Sequence, residues 1–240
     1  MFVSQKWIGL SVIFLHYTHL GSWFIRQQCH LGAWKHPTHE VKMNISIFWS
    51  IIEKARQKCI HHPEKQQWEY LVDALCELPV DDIHEFARIL WLKKVEAYRA
   101  DVWEAASLVA CGCGDDSFTD FHNWLIAQGQ FVYEKTLENP DNLADFVEKK
   151  GRFDIFECWI HRTPEMAYAR KTQLPHSCYT LRLFGPNAAD GTQQPIPDPM
   201  YGYPYKPVLA VPLAPEDELP VKYPRIFAKF GGCDDEELFP

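Results

Sequence analysis

The chain has 240 residues, and 32 acidic against 24 basic side chains give it a formal net charge of −8. That length allows one or two domains with a sizeable core. The acidic balance argues against a general nucleic-acid binder, which neutralises phosphates with clustered Lys and Arg. Charge divides the chain into three blocks, residues 1–42 at net +3, 43–174 at −7 and 175–240 at −4.

Residues 7–25 carry no formal charge and are flanked by Lys6 and Arg26. Their length suits a membrane span, but His16, Tyr17, Thr18 and His19 interrupt the middle, and no small-residue cleavage site follows. Three readings compete: a weak anchor, an atypical signal peptide, or translated sequence upstream of the natural start. We favour the last, because Met43 opens a more ordinary N-terminus, MNISIFW.

From Met43 the apolar spacing is helical. Phe48, Ile51, Ile52, Ala55 and Cys59 form one stripe, with Asn44 or Ser46 as N-cap. His62-Pro63 predicts a break and a restart, with Pro63 as the first helical residue. Trp68, Leu71, Val72, Leu75 and Cys76 form the next stripe, which ends near Pro79. Asp81 or Asp82 begins a third helix, its carboxylates suited to the positive end of the helix dipole. That helix carries Ile83, Phe86, Ala87, Leu90 and Trp91 and runs towards Tyr98.

Residues 102–110 form a helix apolar nearly all round, with Glu104 its only charge, and such a helix belongs inside a bundle. Gly112 and Gly114 are expected to end it. Asp115, Asp116 or Ser117 then caps the next helix, with Asp120 in a capping-box position. Phe118, Phe121 and Leu125 form the buried stripe of that helix, with Trp124 at its margin. Gly129 marks a bend, Phe131–Glu138 a further helix, and residues 153–162 and 164–172 two more. Thr163 is read as the cap of the last and Pro164 as its first residue.

Twelve of the 17 prolines lie at or beyond Pro175, a density that excludes regular bundle helices. The patches Cys178–Phe184, Val208–Leu213 and Ile226–Phe230 are expected to pair as strands or run extended. Aromatics such as Tyr201, Tyr203, Tyr205 and Phe227 argue that this extension packs partly on the helices.

Asp101-Val102-Trp103, Ala105-Ala106, Gly112-Cys113, Asp115-Asp116, Phe118, Phe121, Trp124-Leu125-Ile126 and Gly129 recur in order. With Phe48-Trp49, Ile52, Pro140-Asp141 and Leu143-Ala144, residues 43–172 resemble a bacterial family, the domain-of-unknown-function family numbered 4240. The resemblance implies a compact helical domain with no activity established for the class. The turn departs from the family's GGCSDD: here it runs Cys111-Gly112-Cys113-Gly114-Asp115-Asp116.

That turn is where reactive groups crowd together. Cys113 near a helix N-terminus suits a thiolate nucleophile, His122 a base, and Asp115 or Asp116 its orienting partner, as a thiol hydrolase needs. The simpler reading gives the glycines to the turn, the aspartates to capping and Cys113 to a small apolar gap. Cys111-x-Cys113 with Cys158-x-x-His161 supplies four soft ligands, but C-x-C is not the usual zinc knuckle, so no metal and no cofactor are expected. Trp103 and Trp124 bound a candidate binding groove. Cys59, Cys76 and Cys158 fall in apolar stripes, which suits a reduced, cytoplasmic protein.

The reading is therefore an all-α fold, a compact multi-helix bundle around a buried central helix at 43–174. Residues 1–42 stand outside the fold, and 175–240 form a proline-rich, mostly irregular extension. The expected function is a non-enzymatic interaction or regulatory module whose partner is another protein. The alternative is a small-molecule enzyme built on Cys113, Asp115, Asp116 and His122. Nucleic acid is not expected as a partner, and a membrane only if residues 7–25 are a genuine anchor.

Overall fold

Asn44 starts the first helix as expected. Its extended backbone leaves the side-chain oxygen free to accept the N–H groups of Ser46 and Ile47 at 3.0 and 3.1 Å, and α1 (Ile45–His61) follows. The structure, a computed structural model, describes residues 42–149, 158–174 and 212–231, all within one compact unit, Thr38–Pro240. Among the described residues every regular element is helical, which bears out the all-α reading.

Pro63 does not open the second helix. Residues 63–65 form a turn, and α2 (Gln67–Cys76) begins where Glu69 reaches back to accept the Gln66 N–H at 2.8 Å. The hydroxyl of Tyr70 holds the turn by donating to the His62 carbonyl at 2.9 Å. Helix α3 (Val80–Ala97) follows Pro79, with Asp81 and Asp82 in its first turn. Its stripe of Ile83, Phe86, Ala87 and Leu90 is buried.

Helix α4 (Ala100–Ala110) is the apolar rod, and Val102, Ala105, Ala106, Val109 and Ala110 are wholly buried. Its end differs from expectation. Cys111 itself takes the left-handed cap, with φ 53°, and Gly112 follows at φ 109°. Gly114 has an extended backbone and is the N-cap of α5 (Asp115–Ala127). The cap is thus a glycine, with Asp115 and Asp116 in the first turn and no side-chain cap. Asp120 lies in the second turn of α5 and is half-buried.

Gly129 (φ 92°) precedes α6 (Gln130–Glu138), and a Cβ there would lie 2.8 Å from Glu53 Oε2. A 3₁₀ turn, Pro140–Asn142, leads into α7 (Leu143–Phe146). The predicted helix at 153–162 lies partly outside the described residues. Its described end is irregular at Cys158 and Trp159 and closes in a 3₁₀ turn, Ile160–Arg162. Thr163 is the first residue of α8 (Thr163–Thr172) rather than its cap, and its hydroxyl donates to the Ile160 carbonyl at 2.8 Å.

The Ile226–Phe230 patch is neither strand nor extended. Pro224 presets the first turn of a short helix, α10 (Pro224–Phe230), preceded by α9 (Leu219–Lys222). Cys178–Phe184 and most of Val208–Leu213 lie outside the described residues.

Helix α2 packs on α1 and α8, and α3 packs on α8 and α5. The rod α4 lies against α5, the 140–142 turn and α10. Part of its cover therefore comes from the far end of the chain and not from an amphipathic helix of the 43–174 block.

Candidate functional site

The cysteine corner is held by backbone contacts. Gly112 N–H donates to the Ser107 carbonyl at 2.8 Å, and the Trp103 indole N–H donates to the Cys113 carbonyl at 2.6 Å. The Cys113 thiol turns to the Gly114 carbonyl at 3.8 Å. Burial, reinforced by the charge of Asp120, pushes that thiol up to about 12, so it is not a thiolate at neutral pH. Asp115 and Asp116 are exposed.

His122 points elsewhere. It is wholly buried, its ring centroid 4.1 Å from that of Phe118, with Nε2 3.3 Å from the Ala97 carbonyl and Nδ1 without a hydrogen-bond partner. Burial, then the charge of Lys94, pushes its pKa down to about 3. Nucleophile and base are therefore not joined by a hydrogen bond, and the geometry gives the thiol-hydrolase arrangement no support. Trp103 stacks on Phe118 at 4.6 Å while Trp124 packs on Phe121 at 5.8 Å, so the two indoles address different rings of α5. Among the described residues, no group of three or more metal-ligating side chains converges.

The interior holds a polar cluster that the sequence reading did not assemble. Helix α3 brings Lys94, α5 brings Asp120, His122 and Asn123, and the segment before α8 brings Cys158 and His161. Lys94 is only 7% exposed. Burial pushes its pKa down to about 8, opposed by the negative charge of Asp120. Asn123 Nδ2 lies 3.2 Å from His161 Nδ1 while its buried Oδ1 has no partner. Burial and the charge of Lys94 push His161 down to about 4, and burial pushes the Cys158 thiol up to about 11. The cluster thus keeps its two imidazoles and its one thiol neutral at pH 7 and brings one amine near its titration point. The signal for Lys94 was present: it continues the stripe Ile83, Phe86, Ala87, Leu90 at helical spacing, where an apolar residue belongs. Asp120 was hidden by its assignment to a capping box.

A second polar region lies on the face of α4 and the 140–142 turn. Glu104, only 4% exposed, accepts from the Ala214 N–H at 2.6 Å, Lys222 Nζ at 2.6 Å and the Tyr223 hydroxyl at 2.5 Å. Burial alone would raise its pKa, but Lys222, Tyr223 and the Ala214 N–H outweigh burial and hold it below the ordinary carboxylate value. The Tyr223 hydroxyl also lies 2.9 Å from the Asp101 carbonyl. Asp141 accepts the N–H groups of Arg225 and Ile226 at 2.9–3.1 Å. Pro224 has no N–H, so Asp141 takes the first free donors of α10 and caps that helix from 84 residues upstream. The guanidinium of Arg225 reaches Asn142 and Asp145, and Lys229 Nζ donates to the Ala144 and Val147 carbonyls at 2.7 and 2.8 Å.

The profile of a family described as "Protein of unknown function (DUF4240)" matches residues 43–170, just over half of the chain. The chain belongs to the DUF4240 family. No curated protein and no solved structure matches it. The family boundaries divide the second region in two. Asp101, Glu104, Asp141 and Asp145 lie inside the DUF4240 span, whereas Ala214, Lys222, Tyr223, Arg225 and Lys229 lie beyond it.

Proposed function

We propose that this DUF4240 protein is a non-enzymatic interaction module of the bacterial cytoplasm. Its working surface is the acidic face of Glu104, Asp141 and Asp145, with the Asp101 carbonyl beside it, and it holds a basic, aromatic peptide segment. One observation carries the reading. Two buried carboxylates inside the family span, Glu104 and Asp141, draw their side-chain hydrogen-bond partners from residues 214–226, outside it. The chain's own Lys-Tyr-Pro-Arg-Ile run supports this reading: it sets an ammonium and a phenol at Glu104, and a proline-led helical turn at Asp141. The reading extends this cis contact to a segment of the same chemistry on another protein. The described cysteines, Cys59, Cys76, Cys111, Cys113 and Cys158, are all free, which suits a reducing compartment. Among the described residues no helix is long and apolar enough to cross a membrane.

The test uses the full chain with its own segment released by Lys222→Glu and Arg225→Glu. A fluorescent peptide of residues 212–231 should bind this variant with a Kd on the order of 10 µM, about −7 kcal/mol. It should bind the unaltered chain far more weakly, because the tethered copy competes at a high effective concentration. If the variant keeps its helical circular dichroism but binds no peptide at about millimolar concentration, near −4 kcal/mol, the face is structural and the reading fails.

A further inference from the structure

Asp82 is a buried carboxylate whose partner is incomplete. It stands in the first turn of α3 and is only 7% exposed. Its Oδ1 accepts the backbone N–H of Met43 at 2.8 Å, across 39 residues, and its Oδ2 is buried with no partner. A peptide N–H offers one donor and no charge, whereas a carboxylate has room for about four hydrogen bonds and carries a full negative charge. One neutral contact does not offset the desolvation of such a group. An ammonium on the same nitrogen would bring three donors and the compensating charge, placed where Oδ1 already meets it.

The position of that nitrogen is fixed by Met43 itself and by the residue that follows it. The Met43 side chain is itself buried, at 7% exposure, and the next residue, Asn44, caps α1. The DUF4240 match also begins at Met43, an observation independent of Asp82. We infer that Asp82 is a receptor for a free α-amino group at Met43. The amine arises in one of two ways, by initiation of translation at Met43 or by hydrolysis of the Lys42–Met43 bond. In the second case water adds across the peptide, leaving a carboxylate on Lys42 and an ammonium on Met43. The inference does not rest on the peptide-binding reading above, since it involves neither Glu104 nor Asp141.

Intact-mass and N-terminal sequencing of untagged protein, expressed in the native host from its own upstream region, test it first. The expected result is a species beginning at Met43, and a preparation containing only longer chains overturns the inference. Met43→Leu should remove that species if it comes from initiation, whereas Lys42→Gln should remove it if it comes from hydrolysis. The second measurement places a specific protease site immediately before Met43 in the full chain and cleaves the folded protein. The Met43 amine should then acetylate at neutral pH about tenfold more slowly than an unpaired α-amine, a factor equivalent to one pKa unit. Asp82→Asn should restore the ordinary rate. The comparison with a short peptide beginning Met-Asn-Ile keeps the test decisive even if Asp82→Asn does not fold. Acetylation of the cleaved protein as fast as that of the peptide overturns the inference.

Discussion

Two charges of opposite sign are buried in this molecule to nearly the same depth, and their surroundings differ. Glu104 is met by three donors converging from one segment, Ala214 N–H, Lys222 and Tyr223, and stays ionised. Lys94 sits among Asp120, His122, Asn123, Cys158 and His161, where burial pushes its pKa down to about 8. Around Glu104 the polar groups answer one another. Around Lys94, two buried acceptors, His122 Nδ1 and Asn123 Oδ1, have none. Burial alone therefore does not separate a satisfied polar contact from a partly satisfied one; the completeness of the hydrogen bonding does.

Four experiments would break or sharpen that contrast. The largest effect is expected at Glu104. Glu104→Ala removes the acceptor shared by Ala214, Lys222 and Tyr223 and should cost about 2–4 kcal/mol in urea unfolding. A loss below about 0.5 kcal/mol, typical of a surface change, would show that the contact with residues 214–223 is peripheral.

Acid should act on the other region. The pKa of His122 is pushed down to about 3 in the folded chain against an ordinary value of 6.5. The unfolded chain takes up that proton first, so stability falls as pH drops below about 6.5 and recovers as pH rises. By about pH 5 this amounts to roughly 2 kcal/mol, with a smaller addition from the partly exposed His161. Denaturant melts of the parent and of His122→Phe across this range should converge in slope if another group is responsible.

Lys94→Met keeps the length of the side chain and removes the buried ammonium. At pH 7 relief of the desolvated ammonium and loss of the cation facing Asp120 oppose one another, so the net change should stay within about 1 kcal/mol. The parent's stability should rise with pH from about 8 towards the ordinary lysine value of 10.5, because in that range the unfolded chain holds the proton and the folded chain does not. The variant should lack this rise. A parent that shows no such rise would mean that burial does not lower the Lys94 pKa in the folded chain.

The smallest effect is kinetic. With its thiol pushed up to about 12, Cys113 should alkylate more slowly at pH 7.5 than a short peptide bearing the same cysteine. Mass mapping after iodoacetamide reads this directly, and labelling faster than the peptide would revive a nucleophilic role for the turn.

Periodicity carried most of the helical framework. The Phe48–Ala55 and Ile83–Leu90 stripes are buried as their spacing implies, and so is the apolar rod Val102–Ala110 apart from the half-buried Trp103 and Ser107. Local competition among caps was less legible. Pro63 suited a first helical position, yet Glu69 supplied a better start four residues on. Cys111 took the left-handed turn that glycine usually takes, which put Gly114 at the next N-cap. The polar cluster was half visible: a lysine on an apolar stripe is a signal, but that it meets Asp120 and the 158–161 segment is a tertiary fact. Least legible was the acidic face, because Asp141 and Arg225 are 84 residues apart, and the family pattern that holds Asp141 does not reach Arg225. The proline density beyond Pro175 argued against helices, whereas Pro224 sits at a helix start, where its missing N–H leaves nothing unsatisfied.

That separation has a consequence for biosynthesis. Helix α10 is seven residues long, too short to hold together in water without its distant carboxylate. Ribosomes adding about 5–20 residues per second need roughly 4–17 s to travel from Asp141 to Arg225. Throughout that interval Glu104 and Asp141 of every newly made copy lack the donors that residues 214–226 later bring them.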